Sequence, residues 1–217
     1  MTLCHQLKNT EEKNKMEFLY KIFEQILLFI NGITGNFGLA IIGLTILIKI
    51  VLLPLTLKQD KSMKKMKELQ PILEQYKEKY GHDKNLLNQK TMELYKEKNV
   101  NPAGGCLPLL IQLPILWALF GVLRAERGIV PSESFLWMNL LQPDPYYILP
   151  VLNGIVAFIQ QKLTGTDSNP QMKQMMYIFP VMMVFISYKM PAGLQVYWLT
   201  SSFMGIVQQY FIMKKGD

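Results

Sequence analysis

Charge is segregated along this chain, and that segregation constrains the fold more than any other feature. Residues 37–57 carry one charge, Lys49; residues 103–123, 175–188 and 192–213 carry none; residues 146–163 carry only Lys162. A bilayer core about 30 Å thick is crossed by roughly 20 apolar residues of helix. These stretches therefore predict five transmembrane helices, near 37–57, 103–123, 146–163, 173–189 and 192–213. The fourth is short for a span, which fits a locally thinned bilayer or lysines drawn toward the interfaces. The expected fold class is an all-α membrane protein. A chain that is 50% hydrophobic is too apolar for a disordered one. Two cysteines exclude a disulfide scaffold. With His5 and His82 as the only histidines, and no His or acid inside a span, neither a metal site, a cofactor nor acid–base catalysis is expected.

The basic residues set an orientation. The loop 58–102, the loop after the third span and the C-terminal tail share one side and hold fifteen of the 23 Lys and Arg; seven lie on the other side, and Lys49 between. By the positive-inside rule the first side is cytoplasmic, with the N-terminus outside and the C-terminus inside a multi-pass protein of the cell membrane. The formal charge of +7 thus gathers at a membrane face and does not point to specific DNA binding.

Residues 1–16 read as a polar outer tail without the apolar core of a cleavable signal. Residues 17–31 read as an amphipathic helix lying on the outer surface, with Phe18, Ile22, Phe23, Ile26 and Ile30 on one face and Glu17, Lys21 and Glu24 on the other. Asn31-Gly32 and Gly35-Asn36 break it before the first span. Within 58–102, Met63, Met66, Leu69, Leu73, Tyr76 and Tyr80 mark one amphipathic helix and Leu87, Thr91 and Leu94 a second. With Gly81-His82-Asp83 as the turn, they predict a cytoplasmic helical hairpin. Its Lys61, Lys64 and Lys65, with Met63 and Met66, are candidate contacts for an acidic or RNA-rich partner, for lipid headgroups, or for an apolar client segment.

Lys49 is the most informative residue. It lies near the middle of the first span, where a lysine costs about 2.5–3.5 kcal/mol on insertion scales. None of the sixteen acids falls inside a span, so no fixed carboxylate partner is expected in the membrane. A water-filled cavity facing the cytoplasm satisfies the charge instead, and Thr45, Gln112, Gln160, Gln161, Gln195, Thr200, Ser201, Gln208 and Gln209 are candidate polar neighbours. Pro54, Pro108, Pro114 and Pro180 kink their helices and open gaps in such a bundle.

The motifs then resemble those of the YidC/Oxa membrane protein insertase family. Thr45-Ile46-Leu47-Ile48-Lys49 with Leu53-Pro54-Leu55 looks like its first core helix. Asn101-Pro102-Ala103-Gly104-Gly105-Cys106-Leu107-Pro108 with Gln112-Leu113-Pro114 is the strongest match. Phe135-Leu136-Trp137, Gln161-Lys162, Asn169-Pro170-Gln171-Met172, Pro191-Ala192-Gly193-Leu194 and Tyr197-Trp198 follow in the family's order. The resemblance implies a five-helix core, an outer interfacial helix and a cytoplasmic hairpin, without the large periplasmic domain of some members. It implies an insertase that receives nascent membrane proteins through a hydrated groove, alone or beside the Sec translocon, with ribosome contact on the cytoplasmic side. The family's groove cation, usually an Arg, is here Lys49, which keeps the charge and loses the planar fork. Gln161 and Trp198 match groove-lining positions. The alternatives left open by the residues are a small anion channel or transporter, in which Lys49 binds solute, and a membrane assembly scaffold.

Overall fold

The computed structural model describes the backbone of residues 2–100, 107–123, 130, 134–164 and 170–214. Motif residues 101–106, loop residues 165–169 and the side chains of Met63, Met172, Lys173, Met175 and Met176 lie outside the described residues. The described elements are, in order, α1 (Thr2–Thr34), α2 (Phe37–Glu68), α3 (Gln70–Tyr80), α4 (Lys84–Glu97), α5 (Leu107–Val122), β1 (Ser134–Phe135), β2 (Met138–Asn139), α6 (Ile148–Thr164), α7 (Pro170–Ser187) and α8 (Ala192–Lys214). The strands form a short antiparallel ribbon in which Phe135 pairs with Met138. Among the described residues one helical stretch, Phe37–Met66, is both long and apolar enough to cross a membrane; Ile111–Val122, Ile148–Leu163 and Tyr177–Ser187 are shorter apolar helices.

The main buried cluster lies at the ribbon end of the bundle. Phe23 and Leu27 of α1, Phe37, Ile41 and Leu44 of α2, Leu119 and Val122 of α5, and Leu194 and Tyr197 of α8 share one buried cluster. Met138 and Leu140 close it from the ribbon side. The start of α8 is tied there by backbone bonds from Ala192 N to Gln142 O (2.7 Å) and Gly193 N to Leu140 O (2.9 Å). A Cβ at Gly193 would stand 2.9 Å from Leu123 Cδ1 and 3.1 Å from Leu140 O, so a larger residue requires its neighbours to shift. Beyond Thr45, α2 presents exposed Ile46, Leu47, Ile50, Val51, Leu53 and Leu55, and the far part of α8 presents Phe203, Tyr210 and Phe211. Exposed apolar surface of this extent suits lipid or a partner segment, not water.

Asp144 organises the ribbon end. Its carboxylate accepts hydrogen bonds from the Trp137 indole (3.0 Å), Tyr146 N (3.1 Å) and Leu149 N (2.7 Å), and the residue is 1% exposed. Burial alone would raise this carboxyl, but the donors outweigh it and hold it below its ordinary range.

Several expectations are revised. The helix that was expected from Glu17 begins at Thr2, and residues 2–16 have no Gly or Pro to stop it. Asn31-Gly32 does not break it; the break is Gly35, at φ 66°, followed by Asn36, whose side chain caps α2 through Gly38 N (2.9 Å) and Leu39 N (3.3 Å). The first span and the start of the 58–102 region are one helix of about 48 Å at ~1.5 Å per residue, because nothing after Pro54 interrupts it before Leu69. α3 then restarts at Gln70-Pro71, and α3 and α4 fold back on each other around Leu69, Leu94 and Val100, with Met66 and Tyr76 against them. Asp83 caps α4 by accepting from Asn85 N and Leu86 N.

Candidate functional site

Lys49 lies one turn beyond buried Thr45 on α2, among exposed Ile46, Leu47 and Ile50. It lines a cavity of about 720 Å³ between α2 and α8, with Ile50, Leu53 and Leu57 on one wall and Met204, Val207 and Phe211 on the other. Lys61, Lys64 and Gln208 line it as well. The site is thus an apolar cleft with cations along it, and at ~30 Å³ per molecule it admits on the order of tens of waters. That arrangement suits a segment that is apolar along its length and negative at one point.

Behind Lys49 lies a second, smaller cavity of about 50 Å³, lined by Thr45, Thr56, Gln59, Gln112, Tyr197 and Ser201 among others. Gln112 donates from Nε2 to the Tyr197 hydroxyl, which links α5 to α8 across it. Thr45 is buried and donates to Ile41 O (2.7 Å), which satisfies its hydroxyl within its own helix. Gln59 is 7% exposed and its Nε2 has no partner among the described residues. The chamber carries several polar groups among Ile48, Leu52, Ile111 and Ile115 and has room for about one or two waters.

The sequence candidates divide accordingly. Lys49, Thr45 and Gln112 come together, joined by Ser201 and, at the larger cavity, by Gln208. Gln160, Gln161 and Trp198 are outside these two linings. Gln160 packs against α8 at Gly205, and the residue beside Trp198, Tyr197, takes the place at the chamber, since successive helical residues point about 100° apart. Lys61 and Lys64 belong to α2 and the cleft, not to the α3–α4 pair; Lys65 is exposed, and Met66 is half-buried against the Leu69 cluster and acts as packing. Gln195 donates to Met190 O (2.8 Å) and Thr200 to Val196 O (2.8 Å), bonds that spend their donors away from Lys49.

Lys49 shares its face of α2 with one acid beyond the apolar run, Asp60. The field of Asp60 reaches it. Gln208 holds that acid, donating from Nε2 to Asp60 Oδ2 (2.7 Å) and to Thr56 Oγ1 (2.9 Å). Counting acids inside the span missed Asp60 because the helix does not end where the apolar run ends. The signal was present in the spacing: eleven residues make about three turns, so Lys49 and Asp60 share one face. Gln59 and Tyr197 were missed for lack of any pattern that separates them from ordinary packing.

Comparison with known proteins gives consistent matches. The family model described as 60Kd inner membrane protein matches residues 29–217. A membrane protein insertase YidC of Fusobacterium nucleatum subsp. nucleatum is 65% identical over 206 residues, covering 93% of this chain and 100% of the relative. One from Caldanaerobacter subterraneus subsp. tengcongensis is 47% identical, covering 88% and 92%. One from Geobacter sulfurreducens is 42% identical and covers 85% of this chain but 35% of its own length. The fold resembles the crystal structure of an active YidC insertase with its first transmembrane domain resolved, at a TM-score of 0.74 and 30% identity, over 90% of this chain and 46% of that one.

Proposed function

The chain belongs to the YidC family of membrane protein insertases, the 60Kd inner membrane proteins, and on that premise we propose that it inserts nascent membrane proteins through the cleft between α2 and α8, with Lys49 as its central cation. The family is non-enzymatic, and membership favours insertion over the channel, transporter and scaffold alternatives. The observation that carries the cleft is an apolar cavity between α2 and α8 lined by Lys49, Lys61 and Lys64, beyond the buried cluster at the ribbon end.

In this mechanism water in the cleft shortens the apolar barrier that a client's polar tail must cross. Lys49 attracts an acidic residue of that tail, and at an effective dielectric of ~20 a contact near 4 Å is worth up to about 4 kcal/mol before desolvation. The client's apolar helix then leaves sideways past exposed Ile50, Leu53 and Phe211, and burial of its surface in lipid at roughly 25 cal/mol per Å² drives release. The five-span topology, the N-terminus outside, the ribbon end outside and the cytoplasmic placement of the α3–α4 pair complete the proposal, supported by the distribution of Lys and Arg. Sec translocon and ribosome are its proposed partners, with the lysines of the 58–102 region as the contact surface.

The test is insertion of a single-span client with an acidic outer tail into vesicles containing the wild type, Lys49→Ala or Lys49→Arg. The proposal expects loss with Ala and retention with Arg. Full activity of Lys49→Ala removes Lys49 from the mechanism.

A further inference from the structure

Asp60 is an unusual neighbour for a groove meant to receive acids. It sits on the same face of α2 as Lys49, about three turns further on and about 16 Å along the axis at ~1.5 Å per residue. Lys49 and Asp60 therefore lie on one face of one helix, near enough to act on each other electrostatically. The acid is half-buried, and it is fixed: the Gln208 amide of α8 clamps it to Thr56 one turn back, with donor distances of 2.7 and 2.9 Å. Gln208 is itself a wall of the large cavity. A carboxylate held by a wall residue of the cleft therefore stands near the path by which an acidic client residue approaches Lys49.

We propose that Asp60 is the resident counter-charge of the cleft and determines how strongly it discriminates between acidic and neutral client tails. This deepens the Lys49 reading above and rests on it. At rest Asp60 partly offsets the cation, so the empty cleft holds Lys49 at a lower cost. Asp60 competes with a client acid for the ammonium, so the client pairs with Lys49 more weakly. The cleft is thereby tuned toward moderate attraction, which lets the client leave after insertion. Asp60 acts through Lys49 and is a positioning residue, not a contact that clients require.

The experiment compares two single-span clients that differ by one Asp→Asn change in the outer tail, inserted into vesicles with matched amounts of the full chain. The readout is the ratio of acidic to neutral client inserted, which a general folding defect does not move. Asp60→Asn is expected to raise that ratio about threefold or more, because Lys49 is freed of the carboxylate that competes for it. Asp60→Glu is expected to keep the wild-type ratio. In a Lys49→Ala background the Asp60→Asn change is expected to have no effect on it. If Asp60→Asn does not accumulate in the membrane, Asp60→Ser carries the same expectation. A ratio unchanged by Asp60→Asn, while Lys49→Ala lowers it, overturns this inference and leaves the Lys49 reading standing. An equal rise in the Lys49→Ala background overturns it as well. A ratio that Lys49→Ala leaves untouched overturns the Lys49 reading, and the inference with it.

Discussion

Removing the Asp144 carboxylate should loosen the closed end of the bundle, and the size of the effect follows from its bonds. Asp144→Ala leaves three donors without their acceptor: the Trp137 indole, Tyr146 N and Leu149 N. The site is 1% exposed, so water does not readily replace the lost oxygens. Bonds to a charged acceptor are worth about 1.5–3 kcal/mol each and do not add fully, so a loss of roughly 3–5 kcal/mol is expected. For a chain of this size that corresponds to a fall in the unfolding midpoint of roughly 10 °C. Thermal unfolding in nanodiscs, followed by tryptophan fluorescence, measures it. The pH dependence has a definite sign. The folded carboxyl titrates below its ordinary value, so its contribution is present above the unfolded pKa of about 3.9 and is lost as pH falls through the folded one. Wild type should weaken on acidification in that window and Asp144→Asn should not. An Asp144→Ala midpoint within a degree or two of wild type refutes the reasoning.

Other perturbations separate the parts of the molecule. Leu94→Ala should cost about 2–5 kcal/mol locally, seen as faster amide exchange in α3 and α4 with α5 and α8 unaffected. Tyr197→Phe should remove the acceptor of the half-buried Gln112 amide and cost about 1 kcal/mol, read in the same unfolding assay. Gly121→Leu should destabilise the contact between α1 and α5, because even a Cβ at Gly121 stands 2.6 Å from the Tyr20 ring; a lower unfolding midpoint and easier proteolysis of α1 are the expected results.

Much of the helical layout was legible in the sequence, because charge-poor runs and turn residues are local signals. The apolar runs at 146–163 and 192–213 agree closely with α6 and α8. What escaped was long-range or depended on where a helix stops. The apolar run ends near Leu57, but nothing there ends the helix, so Lys61 and Lys64 lie along the cleft wall and Asp60 shares the Lys49 face. The first helix extends past its amphipathic stripe for the same reason. At the candidate site, Lys49, Thr45 and Gln112 were found as polar residues in apolar surroundings. Tyr197 could not be told from Trp198, since both sit in an apolar run and only the rotation of α8 against α5 chooses between them. The Gln208–Asp60 bond joins residues 148 apart, and no sequence pattern announces such a pair.

The central claim is that Lys49 stands in water that opens to one side of the membrane. Lys49→Cys, with Cys4 and Cys106 replaced by Ser, in oriented vesicles gives the most direct test. The account predicts rapid reaction with a membrane-impermeant thiol reagent applied to the cytoplasmic face and little reaction from the outer face. Protection from both faces, with a nearby loop cysteine reacting normally, contradicts it.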